Sequence, residues 1–359
     1  MRIVATIFLL IGLLSACTES PVETVFFDFS GNRGVYIVNE GNFMYGNSSL
    51  SFYDPELKRV YNHIFQARNG APLGDVAQSM NLHNNLGFIV VNNSGKIYVI
   101  DSQTAEYRGT ISGLSSPRYI HFVNSEKAYV TDLYARKITI FNPETFQIKG
   151  NIPVNNSKSQ FNQHSTEQMV QYKNKVFVTC WSYDNKILVI NSDNDQLVDS
   201  IEVFKQPAGI RLDRNNKIWV LCDGGFEGNP FGYEQPGLVK IDAETLEIER
   251  SFRFKLGEHP QSLRLNSTKD TLYFINRHVW KMSVNDKKLP EQPLITSNYT
   301  SPYGGFYSIG IDPVNNDIYL GDAIDHRQNG IVYHYSSNGK LLDEFKVGIT
   351  PGNFAFKTK

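Results

Sequence analysis

The chain has 359 residues, with 35 Lys and Arg against 36 Asp and Glu, and 41% of it is apolar. So even a charge balance supplies no basic field for nucleic acid and no acidic tail, while the apolar fraction is ample for a core. Nineteen Tyr and 23 Phe, in a chain without a long stretch of helical apolar periodicity, point to an all-β protein.

In chain order, Arg2 precedes the apolar run IVATIFLLIGLL, which is too short for a permanent membrane span, and the small-residue sequence LSAC (Leu14 to Cys17) follows it. This pattern predicts a lipoprotein signal peptide over residues 1–16, cleavage before Cys17 and lipidation of Cys17. Acyl chains partition at about 0.8 kcal/mol per buried methylene, so lipidated Cys17 would hold the mature chain on a bacterial membrane outside the cytoplasm. Residues 17–33 then read as a tether. The acids in TESPVE are compatible with export to the outer-membrane surface.

From residue 34 onward the chain repeats. SPRYIHFVNSEKAYVTDLYARKITIFNPETFQIKGNIPV (Ser116 to Val154) and STEQMVQYKNKVFVTCWSYDNKILVINSDNDQLVDSIEV (Ser165 to Val203) each hold four alternating strands. Third-strand endings recur at Asp54, Asp101, Asn142, Asn191, Asp242, Asn285 and Ser336, 41 to 51 residues apart, which is the spacing of propeller blades. In DSQT, NPET and DAET the leading Asp or Asn can accept the backbone N–H two residues on and fix the reversal into the fourth strand. The first blade offers only GVYIVNEG, SSLSFYDP and RVYNHIF, whereas the last residues, GNFAFK, form a strand with no local partner. Residues 34–359 therefore predict a single seven-bladed β-propeller of four-stranded antiparallel blades, its ring closed by the C-terminal strand as the innermost strand of blade one.

These repeats, in the form KAYVTD with KITIFNPET or KIWVLCD with GLVKIDAET, resemble the YVTN-type propeller repeats of bacterial and archaeal surface proteins, over nearly all of the mature chain. Taken with the lipobox and the aromatic loops, the whole resembles the Bacteroides-type surface lipoproteins called BtuG. That resemblance implies capture of cobalamin, a corrinoid, for a TonB-dependent outer-membrane transporter. It implies a partner in the outer membrane and no cofactor beyond the captured ligand.

In a propeller the loops between second and third strands and those between blades meet on one face around the channel, where ligands bind. Second strands end at Asn39, Asn92, Asp132, Cys180, Cys222, Asn276 and Asp322; the Asn and Asp members either cap turns or face a ligand, with Asn92 and Asp132 candidates for the latter. The loops that follow carry Phe43, Tyr45, Tyr134, Trp181, Tyr183, Phe226, Phe231 and Tyr233, and the blade junctions add Arg118, His259 and Tyr303. Such dense aromatics suit a binding surface, because Tyr and Trp give contact area with little rotamer entropy to lose.

Catalytic signatures are absent from the sequence: there is no Gly-x-Ser-x-Gly elbow and no His-Glu-x-x-His, and SNGK (Ser337 to Lys340) is a hairpin turn. The expected function is therefore binding rather than catalysis. A glycan- or protein-binding propeller and a metal-dependent hydrolase or lactonase remain the competing readings. For the last, Asp322, Asp325 and His326, with Glu40 or Asp223, would have to converge. Cys180 and Cys222 hold equivalent positions on adjacent blades and should stay free thiols, too far apart to bridge.

Overall fold

The computed structural model describes residues 25–31, 33–155, 164–299 and 304–358. Seven antiparallel sheets follow one another along the chain; six have four strands and one has three. The sheet of blade one has the order Pro351–Lys357, Gly34–Asn39, Ser49–Asp54, Arg59–Tyr61. The C-terminal strand thus lies innermost and pairs antiparallel with the first, Ile37 opposite Phe354 and Val35 opposite Phe356. The third segment of that blade is strand only as far as Tyr61, and a short helix, Ile64–Asn69, follows.

The innermost strands of blades two to seven are Ala77–His83, Pro117–Phe122, Thr166–Tyr172, Pro207–Leu212, Gln261–Leu265 and Phe306–Ile311. Blade six departs from the expected four strands: its sheet ends with His278–Ser283, and among the described residues the next segment pairs with it, strand to strand, only at a Val279–Ile295 bridge. The sequence there is NDKKLPEQP, whose two prolines cannot donate to a ladder.

Each second strand carries an aromatic residue three places before its last residue. These are Tyr36, Phe88, Tyr129, Phe177, Trp219, Tyr273 and Tyr319, none more than 1% exposed. They fill the wedges between blades, where apolar residues of neighbouring sheets form separate clusters, for example Phe177 and Val189 with Ile210 and Val220. Buried polar tips are satisfied: Tyr36 donates to the Ser102 carbonyl at 2.6 Å and Trp219 Nε1 to Asp213 at 2.9 Å. Residues before the first strand join this packing, since Phe29 is 3% exposed and stacks on Phe52 at 4.0 Å.

The polar turns behave as their sequences demand. Asp101 Oδ1 accepts from the amides of Gln103 (2.8 Å) and Thr104 (3.2 Å), Asn142 Oδ1 from Glu144 (2.8 Å) and Thr145 (2.9 Å), and Asp242 Oδ1 from Glu244 (2.8 Å) and Thr245 (2.9 Å). Cys180 and Cys222 are both buried and free.

Removing residues 351–359 strips blade one of its innermost strand and opens both edges of the ring. The truncated chain should melt many degrees lower, with a broadened transition by circular dichroism. An unchanged melting temperature would show that the closing strand is dispensable.

Candidate functional site

Every innermost strand begins at the same end of the channel, so the first residues of all seven strands converge there. One residue from each blade, Gln78, Arg118, Glu167, Ala208, Gln261, Tyr307 and Gly352, borders a single cavity of about 500 Å³. Trp181, Tyr183, Phe226 and His259 complete its wall. The cavity therefore has a polar floor built on rigid strands and an aromatic rim built on loops.

Charge on the floor is organised about Arg118. Its Nε lies 3.0 Å from each oxygen of Glu167, and its Nη1 donates to Gln78 Oε1 at 2.5 Å. Burial works against this cation, but Glu167 outweighs it and holds the Arg118 pKa above its ordinary value. The guanidinium also sits 5.6 Å from the Trp181 ring centre, a cation–π contact linking floor to rim.

Glu40 enters from the loop after the first strand of the chain. Burial pushes its pKa up to about 7, against a hydrogen bond donated by Tyr307 at 3.0 Å and the attraction of Arg118. Space for it exists because residue 352 is glycine: a Cβ there would come within 2.1 Å of Glu40 Oε1. On the rim, Asp223 accepts from Trp181 Nε1 at 2.8 Å and Gln206 Nε2 at 3.1 Å, and burial raises its pKa.

Five of the expected ligand-binding residues thus meet here, Arg118, Trp181, Tyr183, Phe226 and His259, together with Glu40 and Asp223, which the metal reading had named. Phe43, Tyr45 and Tyr134 stand outside the cavity, 64%, 78% and 63% exposed, on loops of the same face. Phe231 lies beneath Lys205, whose Nζ is 5.0 Å from its ring centre. Tyr233 brings its hydroxyl near Gly257. Asn92 and Asp132 have structural work: Asn92 Nδ2 donates to Ser116 Oγ and the Pro117 carbonyl at 2.9 and 3.0 Å, and Asp132 accepts from the amides of Ser115, Ser116, Tyr134 and Ala135. Cys17, the other residues read as signal peptide, and Tyr303 lie outside the described residues.

Asp322, Asp325 and His326 do not gather around one point. Asp322 is used by the Ile324 amide and Tyr299 hydroxyl, Asp325 by the amides of Arg327 and Gln328, and His326 Nδ1 lies 3.2 Å from Thr350 Oγ1. The convergent group among the described residues is His164, Cys180 and Asp184, all buried. In it, His164 Nδ1 lies 2.5 Å from Asp184 Oδ2, the separation of a hydrogen bond.

Sequence reasoning passed over Gln78, Glu167, Gln261 and Tyr307. Their common signal was available: each stands at the start of an innermost strand, Gln78, Glu167 and Tyr307 just after its opening residue and Gln261 as that residue.

No helix of the described residues is long and apolar enough to cross a membrane. Among solved structures, the chain is similar to a quinonprotein alcohol dehydrogenase-like protein from Bacteroides thetaiotaomicron, with 15% identity over 92% of this chain and 79% of that one and a TM-score of 0.69. It is similar to a protein from Lactobacillus plantarum, with 13% identity over 91% and 99% and a TM-score of 0.65. The periplasmic gluconolactonase of Pseudomonas aeruginosa matches at 10% identity over 90% and 98%, with a TM-score of 0.63. At such identities the likeness is one of fold. No curated protein matches the chain. Residues 33–351 match the family described as Domain of unknown function (DUF5074), and the chain belongs to that family.

Proposed function

We propose that this protein is a ligand-capturing propeller whose site is the channel mouth, with a corrinoid such as cobalamin as its ligand. The observation that carries the reading is the composition of the mouth cavity. Carboxamides of Gln78, Gln206 and Gln261 and the Arg118 guanidinium lie below, and the rings of Trp181, Tyr183 and Phe226 surround them. A flat apolar macrocycle fringed with amides complements such a surface: its face stacks on the rings while its amides bond to the floor. A ligand larger than the cavity's roughly 500 Å³ would extend over the exposed rings of Phe43, Tyr45 and Tyr134. In this reading lipidated Cys17 holds the propeller on the outer-membrane surface, and a TonB-dependent transporter receives the ligand.

One observation favours a second reading, hydrolysis of a small ester or lactone. Glu40, with its pKa near 7, sits in the cavity beside Tyr307 and within the field of Arg118, as suits a general acid or base.

Calorimetry with cyanocobalamin tests the first reading. One-to-one binding should weaken little with added salt, and Trp181→Ala or Phe226→Ala should each cost about 1 to 4 kcal/mol of affinity if the ring is an anchor. No heat and no rise in melting temperature at tens of micromolar ligand would remove the corrinoid.

Glu40→Gln tests the second. The folded pKa of about 7 lies above the ordinary value of 4.5, so the stability contributed by protonating Glu40 is full below about pH 4.5 and lost as pH rises through 7. The variant should therefore gain on the wild type by on the order of 2 kcal/mol between pH 5 and 8 in denaturant titrations. A pH-independent difference would show that Glu40 is not held protonated. Lactone turnover that survives in the variant would exclude Glu40 as its acid or base.

A further inference from the structure

The opposite end of the channel carries a different charge pattern. Arg211 and Arg264 occupy equivalent places on the innermost strands of adjacent blades, Arg211 paired with Trp219 and Arg264 with Tyr273. Neither forms an ion pair among the described residues. Arg211 Nη1 donates to Gln168 Oε1 at 2.7 Å and to the Ile210 carbonyl at 2.5 Å, and Arg264 Nη1 donates to the Leu263 carbonyl at 2.8 Å. Both border a second cavity of about 520 Å³, and Arg264 borders the mouth cavity as well.

None of the residues lining that second cavity is acidic. Lys269 adds a further cation at its rim, and His121, bonded to Gln171 at 2.8 Å, a titratable ring. Asp270, next in sequence to Lys269 and outside the lining, is engaged by Arg214 at 3.0 Å. Asn266 and Gln171 add carboxamides, and an apolar wall is formed by Phe354 and Phe356 of the closing strand with Leu212, Leu265 and Ile311. Burial, then the like charge of Arg264, pushes the Arg211 pKa down to about 9. A guanidinium gives up its proton with great reluctance, so the strain of two adjacent cations is relieved by a counter-anion. Arg118 at the mouth has such a partner in Glu167; Arg211 and Arg264 have none among the described residues.

We propose that Arg211 and Arg264 form a binding site for a small organic anion, a carboxylate or phosphate carried on an apolar body, in the end of the channel opposite the mouth. The two guanidiniums offer forked donors that match either oxyanion, and the phenylalanine wall receives the apolar part. This site shares no anion chemistry with the proposed mouth ligand, and it stands whether or not a corrinoid binds there.

Calorimetry at low ionic strength tests it, with benzoate, phenyl phosphate, inorganic phosphate and neutral benzyl alcohol as probes. Benzoate or phenyl phosphate should bind once per chain, at least fivefold tighter than inorganic phosphate, and raise the melting temperature; benzyl alcohol should not bind measurably. Preference for benzoate would assign a carboxylate, and preference for phenyl phosphate a phosphate ester. The double variant Arg211→Gln with Arg264→Gln should lose at least tenfold in affinity. Gln168→Glu is the complementary variant, because it places a carboxylate on Arg211 without a change of shape. It should melt higher than the wild type in anion-free buffer and bind the probe at least tenfold more weakly. Absence of binding by every anion at millimolar concentration, or wild-type affinity in Gln168→Glu, would overturn the proposal.

Discussion

The pairing of Pro351–Lys357 with Gly34–Asn39 is the constraint on which the rest of the molecule depends. Seven wedge-shaped sheets in a row would leave two open edges. Joining the last strand to the first removes both and makes every blade an interior blade. The cost falls on the axis. Once the ring is shut, each innermost strand must turn part of its surface toward a narrow channel, and the polar side chains there are held close together away from bulk water.

The two ends of that channel resolve the crowding differently. At the mouth, Glu167 neutralises Arg118, carboxamides fill the space between, and Glu40 is left as a carboxyl whose charge the site disfavours. At the far end Arg211 and Arg264 stand side by side with amide and carbonyl partners alone. The rim aromatics at the mouth, Trp181, Tyr183 and Phe226, belong to loops and the phenylalanines at the far end to the closing strand, so the one segment that shuts the ring also walls the second cavity. The same economy explains Gly352, which closes the ring and leaves room for Glu40.

Fold was legible in the sequence because blades are local. Spacing of third-strand endings, Asp and Asn turns such as Asp101 and Asp242, and the unpartnered GNFAFK each follow from short-range rules, and together they leave a ring as the simple solution. Blade six keeps three strands in its sheet, and the two prolines of NDKKLPEQP, which cannot donate to a ladder, are the local reason. The site was only half legible. Loops advertise aromatics, so Trp181, Tyr183 and Phe226 were found. Glu167, Gln78 and Arg264 lie inside ordinary strand sequence, and what makes them notable is their meeting across the axis, which depends on contacts some 40 residues or more apart in the chain. Asn92 and Asp132 looked like ligand groups because cap and ligand positions use the same residue types.

Native-state hydrogen exchange of the closing strand is the most direct measurement of whether ring closure makes the propeller one cooperative unit. The amides of residues 351–357 that bond to residues 34–39 should exchange only by global unfolding, as slowly as those at the centre of blades four and five. Exchange of these amides by local opening, orders of magnitude faster than the blade centres, would contradict it: the ring would then be a row of blades whose ends merely touch.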